Sequence, residues 1–289
     1  MKHDNNLTES DHHFRNIQKA QYRNGTTDHD EHNKNADIWE YLFQPFGEGD
    51  WTNKKVLDFG CGQGRNIQNV LERYNIGELH GCDISAKNIE DCRGRFKDID
   101  NCSFFVTDGM GLTQDDDDTL DPLEKDGRNA EYDAIFSTIV MQHIGNHSVR
   151  HSIFESMFER LKSDGMISIQ MGFGTAKQYQ NRTVNLVEDL GIVEITNPTT
   201  GLVYREAINC WDFRTLDYNN IYSRNFMATD KPGELNNTNG WADVRVTDPQ
   251  QLADTLENAI GFVDFDYEIR DSFSDINHPH WIYFTAFKP

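Results

Sequence analysis

The chain predicts an α/β fold, a mostly parallel sheet with helices on both faces. Three observations carry this. From about residue 54 to 172, short apolar runs alternate with helical patterns, the signature of βαβ units. A glycine-rich turn, Gly60-Cys61-Gly62-Gln63-Gly64, stands between the first apolar run and its helix. From residue 247 onward the pattern returns as helix, strand and strand.

The elements follow in order. Residues 1–50 form a polar N-terminal segment carrying His3, His12, His13, His29 and His32, and 36–46 read as a short amphipathic helix stopping near Pro45. Residues 51–289 form the main domain. Its first strand is Lys55–Phe59, followed by the glycine turn and a helix from about Asn66 to Tyr74. Glu78–Asp83 is the second strand, and 85–96 the second helix, with Ser85 as N-cap. Ser103–Thr107 is the third strand. The loop beyond it holds Asp115–Asp118, which reads as a solvated run, since a cation site needs turns and neutral donors between its acids. Tyr132–Ser137 is the fourth strand. A helix over 149–162 ends at Ser163-Asp164-Gly165, and Met166–Met171 is the fifth strand. An aromatic, polar, weakly periodic insertion occupies about 173–246. Asp248 as N-cap and Pro249 in the first turn then open a helix, with Val263–Arg270 and His280–Phe287 as the final strands.

Composition narrows the function. The net charge is −21, from 48 acidic against 27 basic residues, and no basic run occurs. Such a field repels nucleic-acid backbones, which their binding proteins neutralise with clustered Lys and Arg. No run reaches the ~18–20 apolar residues of a membrane span, and Met1–Asn6 begins no apolar secretory signal. The five cysteines (Cys61, Cys82, Cys92, Cys102, Cys210) lack CxxC spacing and read as reduced thiols. A cytoplasmic protein that binds no metal is the expectation; its oligomeric state is left open.

The glycine turn carries the chemistry. Glycine lets the backbone turn sharply and approach a ligand, and the helix beyond it offers N–H groups. Asp58 precedes the turn, and Asp83 ends the next strand, placed to accept from both hydroxyls of a ribose. A nicotinamide site usually reads G-x-G-x-x-G; here the third glycine comes one residue early, which weakens a dehydrogenase reading.

The run Val56-Leu57-Asp58-Phe59-Gly60-Cys61-Gly62-Gln63-Gly64-Arg65-Asn66 resembles the first motif of the class I S-adenosylmethionine (SAM) methyltransferases. Asp83-Ile84 resembles their second motif, Asp108-Gly109-Met110 their third, and Tyr132 to Ile144 their fourth strand and its trailing segment. Leu161-Lys162-Ser163-Asp164-Gly165-Met166 is similar to the turn before their fifth strand, with Ser163-Asp164 in place of the usual Pro-Gly. The resemblance implies a seven-stranded sheet with an antiparallel last strand, and SAM as cofactor. It implies that Gly60, Gly62 and Gly64 let the backbone meet the methionine portion while Asp58 positions its ammonium, directly or through water. Asp83 would hold the ribose, Ile84 pack on the adenine, and Asp108 accept from its amino group. Cys61, Asn66, Gly109 and Met110 complete the cofactor set.

The acceptor is expected beside 138–147 and under the insertion, read as a cap that includes Tyr179, Tyr204, Trp211, Phe213, Tyr218, Tyr222, Phe226 and Trp241. His143 is the candidate base, because imidazole titrates near neutrality. Ser137-Thr138-Ile139-Val140 stands where amino-methyltransferases of nucleic acids carry an N/D-P-P-Y tetrad. The loop between the last strands holds Asp271, Asp275, His278 and His280, read as ordinary loop polarity with acid–base or metal roles as the alternative. A small-molecule O- or N-methyltransferase is the leading reading. A nucleic-acid or protein methyltransferase, and a SAM-binding protein that does not methylate, are the alternatives.

Overall fold

The computed structural model describes residue 47 and residues 50–112, 131–144, 147–173, 192–196, 200–210, 242–271 and 280–289. The 36–46 helix, the Asp115–Asp118 run, Asp275, His278, and most of the insertion's aromatics lie outside these residues. Of the latter, Tyr204 falls on a strand.

The strands are β1 (Lys55–Phe59), β2 (Glu78–Asp83), β3 (Cys102–Val106), β4 (Tyr132–Ser137), β5 (Leu161–Phe173), β6 (Ile192–Thr196), β7 (Val203–Cys210), β8 (Ala242–Val246), β9 (Val263–Asp271) and β10 (His280–Phe287). Helices α1 (Arg65–Arg73), α2 (Ala86–Arg95), α3 (His147–Arg160) and α4 (Pro249–Ala253) join them, and α4 runs on as a π-helical stretch, Asp254–Ile260. Strands β3-β2-β1-β4-β5 are parallel neighbours, β10 pairs antiparallel with β5, and β9 pairs with β10. This is the expected seven-stranded sheet with its antiparallel last strand.

Two apolar layers hold it. On one face Leu57, Ile135, Ile167, Ile169, Ile282 and Phe284 pack with Val149, Ile153 and Met157 of α3 and Leu256. On the other, Val56, Ala134 and Phe136 pack with Ile67 and Val70 of α1 and Ile89 and Cys92 of α2. Each large side chain so buried stabilises the fold by roughly 1.5–3 kcal/mol relative to exposure. The caps expected at Ser85 and Asp248 form: their side chains accept from Asn88 N and Gln250 N at 3.3 and 3.0 Å. Cys61, Cys82, Cys92 and Cys102 are free thiols. Among the described residues, no helix is long and apolar enough to cross a membrane.

Two boundaries differ from expectation. Helix α3 spans His147–Arg160, and β5 begins at Leu161, paired with Tyr132. Asp164 takes a left-handed φ of 61° inside the strand, and its N–H meets Lys288 O at 2.8 Å. Backbone pairing thus absorbs what reads in sequence as a turn. The insertion also holds three strands that its weak periodicity concealed. Beyond the end of β4, the tip of β5 pairs through Gly172 and Phe173 with Arg245 and Val246 of β8. Antiparallel β7 and β6 continue from there. Because β10 occupies the other edge of β5, this ribbon takes the edge that β4 vacates, and β8 packs on the turn after β4.

Candidate active site

The C-terminal ends of β1, β2, β3 and β4 gather the expected residues. Gly60 sits at φ 74° and Gly64 at 79°, the left-handed region that favours glycine. A Cβ on Gly60 would lie 2.3 Å from Val140 Cγ2, and one on Gly64 2.4 Å from Phe96 Cε2. These two glycines therefore also let protein pack on protein, where the sequence suggested a sharp turn and room for a ligand.

The N–H groups of this turn are largely committed. Gly60 N and Cys61 N both donate to Cys82 O, at 2.8 and 2.9 Å, and Gly64 N donates to Cys61 O at 2.9 Å. Gly62 N donates to Asp83 Oδ2 at 2.9 Å. Cys61 is buried in the α1/α2 layer, and burial raises its thiol pKa well above the ordinary value. Its backbone groups bond within the protein and its side chain packs there, so it serves the frame of the turn.

Asp58 is the unusual group. Its side chain is fully buried, and neither carboxylate oxygen has a hydrogen-bond partner. Burial, then the nearby Asp83 charge, push its carboxyl well above the usual range, with Asn66 opposing. The Asn66 amide itself donates to Thr138 Oγ1 at 2.8 Å, tying α1 to the end of β4. A buried carboxylate whose one neighbouring donor, Asn66, is also engaged by Thr138 is costly unless a cation or further donor arrives.

Asp83 is better satisfied. Oδ1 accepts from Ser85 N at 2.8 Å and Asn88 Nδ2 at 3.4 Å, and Oδ2 from Gly62 N. Burial raises its pKa, and these donors oppose the shift. A carboxylate offers about four acceptor sites. One ribose hydroxyl can be added directly; a second would displace the long Asn88 contact. Ile84 beside it is partly exposed. Asp108, also partly exposed, accepts from Met110 N at 2.8 Å around Gly109 at φ 81°. Met110 is buried in the α3 layer, so its side chain belongs to the core.

After β4 the chain makes a strained turn. Ile139 adopts φ 55°, an outlier for a β-branched residue. Its N–H is held by Gln170 Oε1 at 3.1 Å, and Gln170 Nε2 donates to Tyr283 Oη at 3.4 Å. Nothing in the sequence marked Gln170 or the left-handed turn at Ile139; an alternating polar residue in a buried strand was the one available hint. Val140 packs on Gly60, and its carbonyl accepts from His143 N at 2.9 Å in the 3-10 turn Met141–His143. His143 is partly exposed there. Of the late-loop candidates, His280 opens β10, paired with Asp271 at the end of β9 and Phe173 at the tip of β5. Among the described residues, no group of three or more His, Cys, Asp or Glu side chains is placed to hold a metal.

Comparison with known proteins agrees with this arrangement. A family model described as a methyltransferase domain matches residues 57–167. Over 117 residues the chain is 27% identical to trans-aconitate 2-methyltransferase of Rhizobium rhizogenes, a stretch covering 40% of this chain and 38% of that protein. A SAM-dependent methyltransferase of Clostridium acetobutylicum superposes with a TM-score of 0.50 at 12% identity, covering 89% of this chain and 94% of that one. Phosphoethanolamine N-methyltransferase 2 of Haemonchus contortus, in complex with SAM, superposes with a TM-score of 0.50 at 15% identity, covering 88% of this chain and 53% of that one. This chain thus spans about half of the Haemonchus protein and, in the aligned part, less of the Rhizobium one. The solved structures establish the shared fold. The matched model makes residues 57–167 similar to a methyltransferase domain, on the same sheet that those structures share.

Proposed function

We propose that this protein transfers a methyl group from SAM to an oxygen or nitrogen of a small-molecule acceptor. The observation that carries the reading is Asp58: a fully buried carboxylate with two unpartnered oxygens beside the glycine turn. The methionine ammonium of the cofactor is the cation that such a group lacks, received directly or through water. Asp83 would hold the ribose, Ile84 the adenine face, and Asp108 the adenine amino group. Gly60, Gly62 and Gly64 shape the turn, Asn66 ties it to Thr138, and Gly109 turns the backbone beside Asp108. When bound, the cofactor supplies an electrophilic methyl group on a sulfonium.

The chain's own residues orient and deprotonate. Gln170 fixes Ile139, and Val140 on Gly60 sets the His143 turn against the cofactor turn. Positioning of this kind supplies much of the rate in a displacement that needs its reacting atoms in line. For a hydroxyl acceptor, His143 takes the proton as the new bond forms; an unprotonated amine needs no base. The acidic chain favours small acceptors over nucleic acid. The curated relative is named for trans-aconitate and one structural neighbour for phosphoethanolamine, both small molecules. No membrane-bound partner is invoked, and a cytoplasmic setting fits the reduced thiols.

Incubation with methyl-labelled SAM and a metabolite extract tests the reading: label should enter a small acceptor. Label in added RNA, DNA or protein alone would overturn it, as would SAM binding without any transfer. On a hydroxyl acceptor, His143→Ala should lower turnover by roughly 10²- to 10⁴-fold, with SAM affinity nearly unchanged. Wild-type turnover in that variant would remove His143 from the mechanism.

A further inference from the structure

A second site lies away from the glycine turn, on the opposite face of the sheet. His147, Arg150, His151 and Phe154 recur on one face of α3 at i, i+3, i+4 and i+7. With Met171 of β5, Val246 of β8, and Gln251, Leu252 and Thr255 of the α4 segment, they line a small pocket open to solvent. Among the described residues that line it, three are Arg or His and none carries a carboxylate. In a chain of net charge −21 that is a local reversal of sign.

We propose that this pocket binds an oxyanion, the carboxylate or phosphate of a small molecule. Arg150 is buried, and its planar guanidinium offers only donors. Its Nη1 donates to Ile144 O, and its Nη2 meets His147 Nδ1 at 3.5 Å. A guanidinium only donates, so His147 Nδ1 is the acceptor in that contact. His151 turns Nε2 to Glu155 Oε1 at 3.6 Å, which leaves its Nδ1 buried without a hydrogen-bond partner. Bearing the ring proton, that nitrogen is a donor beside the guanidinium. The pocket also borders the first turn of α3, where the helix dipole favours negative charge. Phe154, Met171, Val246 and Leu252 supply an apolar floor. The strong donors are therefore few, and they suit the compact head of a ligand. The Ile144 carbonyl held by Arg150 directly follows His143. An anion here therefore bears on the same turn as the proposed acceptor.

The anion is either the acceptor's own acid group, which rests on the methyl-transfer reading, or a separate free ion, which does not. Histidine-selective NMR of the full chain, titrated with inorganic phosphate and with citrate at constant ionic strength, tests binding. We expect saturable shifts of His147 and His151, with affinity reduced at least about tenfold in His151→Gln and in Gln251→Met. Shifts that never saturate, or that survive unchanged in both folded variants, would overturn the site. A methylation assay then separates the sources. An acid-bearing acceptor should show a raised KM in His151→Gln and competition by phosphate, whereas a free ion leaves that KM unmoved. Titration with S-adenosylhomocysteine reports on the cofactor turn alone. Its failure beside intact phosphate binding would sink the methyl-transfer reading and spare this site.

Discussion

Gly60 and Gly201 share one backbone conformation, φ 74°, in two very different parts of the molecule. Gly60 lies in the glycine turn, where an added Cβ would strike Val140 at 2.3 Å. Gly201 precedes β7 in the ribbon, exposed, with nothing within 4 Å of the same added atom. The first region is overdetermined: strand ends, Val140 and the carbonyl of Cys82 all constrain one turn. The second is held by Thr200, whose Oγ1 accepts from Leu202 N and donates to Asp254, with no described side chain packed where a Cβ would go. The same backbone geometry thus means something different where packing enforces it.

Substitutions should expose that difference. Gly60→Val combines backbone strain with overpacking and should destabilise by about 3 kcal/mol or more, read from urea unfolding. If it unfolds like the wild type, the packing of Val140 on the turn is not as described.

Nearly as large is a pH effect centred on His80 in β2. Its Nδ1 lies 3.1 Å from Tyr132 Oη. Burial, then the Lys55 charge, lower its pKa to about 4, with Glu78 opposing. The unfolded chain takes a proton near pH 6.5 and the folded one does not until about 4. The stability is therefore present above pH 6.5 and falls by about 3 kcal/mol as the pH drops to 4. His80→Gln should flatten that part of the stability profile. Persistence of the acid slope would assign it to other groups.

Cofactor contacts come next. Asp83→Ala should weaken S-adenosylhomocysteine binding by about 1.5–3 kcal/mol, the range for a hydrogen bond to a charged group. Unchanged affinity by calorimetry would remove Asp83 from the site. Smallest is Gly201→Ala, at about 1 kcal/mol, the strain of one left-handed residue. A loss as large as that of Gly60→Val would erase the contrast between the regions.

The same contrast explains what could be read from sequence. Parallel strands buried on both faces leave continuous apolar runs, as in Lys55–Phe59 and Tyr132–Ser137, and the glycines and acids sit at their ends. That part of the fold and the grouping of Asp58, Asp83 and Asp108 were legible. Strands β6 to β8 carry mixed residues such as Val-Tyr-Arg-Glu-Ala-Ile-Asn-Cys, whose pairing depends on where β4 stops. No local pattern reports that. Side-chain direction was equally hidden: Met110 and Cys61 sit inside motifs yet face the core. The pocket on α3 did leave a trace, the basic spacing His147, Arg150, His151 on an otherwise apolar helix face.

Asp58 is the residue on which the proposed cofactor site depends most. Because its folded pKa is raised, ionising it destabilises the unliganded protein as the pH climbs past the ordinary carboxylate range. Calorimetric titration of Asp58→Asn with S-adenosylhomocysteine, paired with thermal unfolding of the unliganded protein at pH 8, tests this directly. The account predicts a variant that melts higher than the wild type yet binds at least about tenfold more weakly. Equal or tighter binding in Asp58→Asn would contradict it.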